Sequence, residues 1–402
     1  MVKIGIELEG HLIDENGSVS NYAPELIEIM GSPDYLVPES SETMFEVNSS
    51  PSDDMSYLAD ELSERLNGFN DIANSRGLRV MPAPNFHNDG VKVRSRDPDR
   101  PRSKGKKAVL GEALWDLEHH LTATHVHVDM LEDEGKAYNQ IMLMQAMDPV
   151  FAFASSSPFF LGNNSKRDYR VDVYRNEVFD RFPLQGQLLD YPKSLEDVMD
   201  RQVKAYDEFK NELVKEGLDD DSFNKYNCIW GPLRLTKFGT IEARGADSNN
   251  LSNVLGLGAV YMGVSNYLER ENVDVEINDG SYDVGELFVP KNGKIIVPNY
   301  DQLKRFEGIG VEDGLSNSTL RTYLSNVLDV AEKGLDDESY LNPFRSMISE
   351  GRSFSDDIIG YASDNGIESN GTISEAGARA LRSYVAGRYE SDLEKYSGKV
   401  LV

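Results

Sequence analysis

Residues 2–10 read Val2-Lys3-Ile4-Gly5-Ile6-Glu7-Leu8-Glu9-Gly10. Val2, Ile4, Ile6 and Leu8 alternate with Lys3, Gly5, Glu7 and Glu9, and a period of two predicts a strand with one apolar face and one face carrying two carboxylates. The same two-sidedness recurs along the chain. Residues 43–48 follow a Pro/Ser-rich turn and set Glu42, Met44, Glu46 and Asn48 on one side. In residues 123–130, His125, His127 and Asp129 alternate with Val126 and Val128. In residues 238–244, Glu242 and Arg244 oppose Ile241 and Ala243. With a further strand over residues 78–83, these half-polar segments predict an antiparallel sheet.

Helical spacing fills the gaps. Ser52 or Asp53 is placed to cap a helix whose apolar residues are Met55, Leu58, Leu62, Leu66, Phe69 and Ile72, ended by Gly77. Residues 137–147 read as a Met-rich buried helix, residues 196–214 as an amphipathic one closed by Gly217, and residues 251–269 as a third. Residues 163–181 read as a polar, Arg-containing loop, and Lys291-Asn292-Gly293-Lys294 as a hairpin turn. From about Pro298 the pattern is mainly helical. The expected fold is α+β, an antiparallel sheet with flanking helices, with residues 1–297 as the catalytic unit and a helical region, residues 298–402, packed on it. The Met and aromatic residues of 142–160 are expected in the core, and Cys228, beside Trp230, as a buried small hydrophobe.

Composition narrows the function. With 402 residues, the chain is long enough for a sizeable core and an active site. No apolar run is long enough to span a bilayer, and no secretory signal opens the chain, so a cytoplasmic protein without membrane partners is expected. One cysteine excludes a disulfide framework or a Cys-rich zinc module. The 69 acidic side chains exceed the 41 basic ones for a net charge of −28, which disfavours nucleic acid as a partner and resembles the surface of a protein from a high-salt cytoplasm. Residues 92–107 are the exception, with eight basic side chains against two acidic. Self-association is left open.

Carboxylates gathered on sheet faces must be offset by cations if they line one cavity, because buried unpaired charge is costly. Oxygen ligands with an imidazole suit magnesium or manganese better than zinc, and magnesium points to a nucleotide. The Gly-x4-Gly-Lys-Ser/Thr loop is absent, so ATP would be held by metal and basic side chains. The basic run of residues 92–107, Lys104 included, reads as a loop placed to close over a triphosphate or a carboxylate. Arg170 and Arg175 are candidates for bidentate capture of a carboxylate.

Five ordered motifs carry a resemblance. Gly5-Ile6-Glu7-Leu8-Glu9, Glu42-x3-Glu46-Val47, Thr124-His125-Val126-His127-Val128, Ser156-Ser157-Pro158-Phe159-Phe160-x-Gly162 and Gly239-Thr240-Ile241-Glu242-x-Arg244-x2-Asp247 resemble, in order and spacing, the glutamate-cysteine ligase type 2 family, most nearly its archaeal, salt-adapted members. The resemblance covers roughly residues 2–270. It implies a glutamine-synthetase-like funnel and ATP-dependent ligation of glutamate to cysteine through an acyl phosphate, with glutamate and cysteine or another amine as the small-molecule substrates. It implies Glu7, Glu9, Glu42, Glu46, Glu242 and His125 as the magnesium or manganese shell, with Glu39 competing with Glu42. His127 would face the nucleotide phosphates, Arg244 the transferred phosphoryl group, and Arg175 the substrate carboxylate. The rival expectations are a ligase using a different amine and a metal-dependent phosphoesterase.

Overall fold

The alternating N-terminal stretch forms the central strand of the sheet, β1 (Ile4–Asp14), longer than its first nine residues foretold. In this computed structural model the described residues are 1–86, 91–160, 166–218, 221–369 and 372–396; Gly162 and Asn163 lie outside them. β2 (Leu36–Pro38), β3 (Met44–Asn48), β4 (Leu78–Met81), β5 (Ala123–Asp129), β6 (Leu233–Leu235) and β7 (Thr240–Asp247) complete a seven-stranded sheet in the order β2-β3-β1-β5-β7-β6, with β4 on the far end of β1. Every pairing in it is antiparallel, as half-polar strands require.

The apolar face of β1 sets the layering. Ile4, Ile6 and Leu8 are buried, and the Leu251–Arg270 helix lies against them. It comes close because position 258 is glycine: a Cβ there would stand 2.9 Å from Ile6 Cδ1 and 3.0 Å from Ile4 Cδ1. The Met55–Asn74 helix buries its predicted apolar stripe except Ile72, which is partly buried against the same core. Its cap is Asp54, one residue beyond the expected pair, because Asp54 is the residue whose carboxylate reaches the amides of Ser56 and Tyr57. The Met and aromatic run over residues 142–160 is core, and Cys228 is fully buried.

Other expectations shift. The second half of the basic stretch is helical, in Pro101–Leu110, which Gly111, whose φ of +86° suits glycine, joins to the Glu112–Glu118 helix. The polar loop after residue 163 contains the Tyr169–Val173 helix followed by a π turn, Tyr174–Val178. The Lys291–Lys294 turn forms, but the strands near it, Asp274–Ile277 and Lys294–Val297, pair in parallel, so it closes one bridge and not a hairpin. Among the described residues, 298–396 contribute five α-helices, and the largest of three hydrophobic clusters runs from Val2 to Leu393. Among the described residues no helix is long and apolar enough to cross a membrane.

Candidate active site

The polar face of the sheet opens into a cavity of about 440 Å³. Strand pairing assembles its acidic wall. On β1, Glu9 lies directly across from Glu46 of β3, and Glu7 directly across from His125 of β5. A bulge between Thr124 and Val126 interrupts the β5–β7 register at His125. Two groups of ligand atoms result, each within 4.8 Å of one another: Glu7, His125 and Glu242, and Glu9, Glu46 and His125.

The two groups differ in how their charge is met. Glu7 accepts from His125 Nδ1 at 3.0 Å, and its other oxygen lies 3.0 Å from His127 Nε2. Burial alone would raise its pKa, but these two histidines hold it far below the usual carboxylate range. Glu242 is fully buried; one oxygen meets Arg234 at 2.5 Å and the other meets Arg244. Burial opposes its ionisation, yet Arg244 and Arg234 bring its pKa down to about 2. Among the described residues, Glu9, Glu39 and Glu46 have no salt-bridge partner. Burial and then the charge of Glu39 push Glu9 up to about 8. Burial followed by repulsion from Glu39, Glu7 and Glu9 drives Glu46 well upward, and burial and Glu7 raise Glu39. His125 is lowered to about 4, chiefly by burial and then Arg244, so its ring is neutral at pH 7, the form that binds metal. Mutually repelling buried oxygens beside a neutral imidazole fit a hard divalent cation.

The opposite wall is basic and aromatic. The Pro101–Leu110 helix turns Arg102 and Lys106 inward, joined by Arg96 and Arg100, while Trp115, His119, Tyr174 and Trp230 contribute rings. Helical phase decides which lysine faces the cavity. Lys104 points away from it, half exposed and 3.1 Å from Asp99, so Lys106 holds the position expected of Lys104.

Other expected residues also lie off this cavity, among them Glu242, buried between Arg234 and Arg244. Glu42 pairs with Arg94 at 2.5 Å, and its amide donates to Arg94 O, so it fastens the basic segment to the β2–β3 turn while Glu39 takes the wall. His127 lies beside Glu7, its Nδ1 3.1 Å from Thr240 Oγ1, with its pKa raised because, against burial, the nearby Glu7 and Glu242 carboxylates prevail. Arg175 is buried and fully engaged, 2.7 Å from Asp148 and 2.9 Å from Glu307 of the Tyr300–Glu312 helix. Both carboxylates belong to the protein, so its charge is spent internally.

Arg244 has its own support. Arg170 donates to the Gly245 and Arg244 carbonyls at 3.3 and 3.2 Å, and Asp247 accepts from Ser156 N and Ser157 Oγ at 2.9 and 2.7 Å. The Ser-Ser-Pro and Asp247 motifs therefore brace the strand that carries Glu242 and Arg244. Arg234 escaped the sequence reading although Leu233-Arg234-Leu235 alternates, because three residues are too few for a period to register. Trp115, Glu118, Tyr174 and Trp230 carry no local signal; tertiary packing alone brings them to the cavity.

The profile of glutamate-cysteine ligase family 2 matches residues 3–295. A Sorangium cellulosum protein provisionally named glutamate-cysteine ligase 2 is 26% identical over 273 residues, covering 65% of this chain and 66% of that protein, just under two thirds of it. A Legionella pneumophila (strain Corby) protein, provisionally named glutamate-cysteine ligase 2-1, is 24% identical over 338 residues, 79% of this chain and 83% of the other. Among solved structures, the glutamate-cysteine ligase of Francisella tularensis in complex with AMP superposes with a TM-score of 0.63 at 10% identity, over 98% of this chain and 91% of that one. The bifunctional glutathione synthetase of Pasteurella multocida gives 0.51 at 10% identity, over 98% and 52%. At such identity the likeness is one of fold, and the fold is the expected one.

Proposed function

The chain belongs to glutamate-cysteine ligase family 2, and on that premise we propose that it joins the side-chain carboxylate of glutamate to the amine of cysteine while cleaving ATP to ADP and phosphate. The observation that carries this is the division of one cavity into a wall of unpaired carboxylates and a wall of arginines and lysine. A ligase of this kind must bring an anionic carboxylate up to a polyanionic nucleotide, which needs cations on both sides.

Glu9, Glu46 and His125 would hold a divalent cation, with Glu39 nearest in kind and Glu7 and Glu242 flanking them. Once bound, such a cation supplies charge neutralisation and polarisation of phosphoryl oxygens. Arg244 lines the cavity, anchored by Glu242 through one arm, while its buried Nε has no hydrogen-bond partner among the described residues. That leaves a donor for an oxygen of the γ-phosphoryl group as the glutamate carboxylate attacks it and the acyl phosphate forms. Arg170 fixes the backbone of Arg244 from behind, so the guanidinium is oriented before substrate arrives. Arg96, Arg100 and Arg102 supply the remaining positive charge for the triphosphate.

Phosphate release from ATP, measured with magnesium at high potassium chloride, tests the proposal. Release that requires glutamate and cysteine together is the expected result. Release with glutamate and another amine would move the acceptor and keep the chemistry. Release from a phosphoester with no amine present would replace the ligase with a phosphoesterase.

A further inference from the structure

The acceptor arrives as an ammonium ion, and an ammonium is a poor nucleophile until it loses a proton. The carboxylates of the acidic wall are the ones a cation would occupy. On the opposite wall stands one more buried carboxylate, Glu118, 9% exposed and lining the same cavity. Lys106 holds its Oε2 at 2.7 Å, while its Oε1 is buried with no hydrogen-bond partner among the described residues. Leaving a buried carboxylate oxygen unsatisfied is costly unless a ligand completes it.

Its position is also unfavourable for the helix that bears it. Glu118 is the last residue of Glu112–Glu118, where the helix presents its partial negative end, so a carboxylate there opposes the dipole. Local conflicts of this kind gather at functional sites. Lys106 in turn lies over the Trp230 ring at 4.9 Å, which fixes the pair against an aromatic floor. Glu118, Tyr174 and Arg244 line the same cavity, so Glu118 shares the chamber of the phosphoryl-handling arginine.

We infer that Glu118 binds the ammonium group of the acceptor and takes its proton, an assignment that rests on the ligase reading above. One N–H proton passes to Glu118 Oε1. The freed nitrogen pair attacks the acyl carbon, forming the C–N bond; the acyl C–O bond breaks with its electron pair leaving on phosphate, and the departing phosphate takes the second N–H proton, which leaves a neutral amide. Lys106, by holding Oε2, presents Oε1 to the amine.

Hydroxylamine separates this role from the rest of the reaction, because it is uncharged at pH 7 and needs no such partner to attack an acyl phosphate. Phosphate release with ATP, glutamate and magnesium is compared for wild type, Glu118→Gln and Glu118→Asp. The nucleophile is either hydroxylamine or the amino acid that gives the largest release in the wild type. The ratio of amino-acid to hydroxylamine rates is expected to fall about 100-fold in Glu118→Gln and about 10-fold in Glu118→Asp, with hydroxamate still formed. An unchanged ratio in both variants would overturn the assignment. So would an unchanged ratio in Glu118→Asp if Glu118→Gln failed to fold. Absence of hydroxamate from the wild type would instead refute the ligase reading.

Discussion

Glu39 and Glu42 stand three residues apart, and the turn between them sends one carboxylate into the cavity and the other to Arg94. Glu39→Gln is therefore expected to weaken the rise in melting temperature produced by magnesium or manganese, and Glu42→Gln to leave it nearly intact; the reverse order in thermal melts would return the ligand role to Glu42. Glu9 gives the pH dependence. Its folded-state pKa of about 8 lies above the ordinary value of 4.5, so the folded chain keeps a proton that the unfolded chain has lost. The metal-free protein should lose stability as pH rises from about 4.5 to 8. A divalent cation meets fewer protons at the upper end, so its stabilisation should be greater at pH 8 than at pH 5.5, and equal shifts in melting temperature at the two would count against the acidic wall as its site. Glu7, Glu9, Glu46, His125 and Glu242 were legible in the sequence because a strand declares its faces by alternation. The fates of Glu42 and Arg175 were not, since each is decided by a partner outside its own element, Arg94 in one case and Asp148 with Glu307 in the other.

At the level of the element, the informative failure was the basic segment. A run of lysines and arginines with few apolar residues offers no periodic stripe, so the Pro101–Leu110 helix was read as a loop and Lys104 could not be told from Lys106. What seats the helix is a glycine. A Cβ at Gly105 would stand 2.7 Å from Phe223 Cε2 and 2.8 Å from Leu213 Cδ2, so the helix packs there with no side chain between. Gly105→Val is expected to cost about 1–3 kcal/mol in denaturant unfolding and, by shifting Arg102, to raise the KM for ATP severalfold. A stable variant with wild-type KM would show that the cavity does not depend on this seat. β1 presents the opposite case: its alternation over residues 2–9 was enough to place the sheet, since one face had to meet the Leu251–Arg270 helix and the other could not be apolar.

Across the whole molecule, the sheet architecture and its antiparallel pairing followed from segments of alternating polarity, whereas the closure of the cavity by Arg234, Tyr174 and Trp230 needed the chain folded. The same is true of Arg175, whose pairing with Glu307 ties the sheet-bearing part of the chain to the Tyr300–Glu312 helix. The basic wall has a kinetic consequence. A chain of net charge −28 repels an anionic nucleotide at long range, while the cavity mouth attracts it at short range. Because screening acts over a length of about 10 Å at 0.1 M salt, added salt removes the distant repulsion before it removes the local attraction. The encounter rate for ATP, followed by stopped flow with a fluorescent analogue, should therefore climb with ionic strength, pass through a maximum and then decline, where a uniformly charged surface would give a monotonic curve.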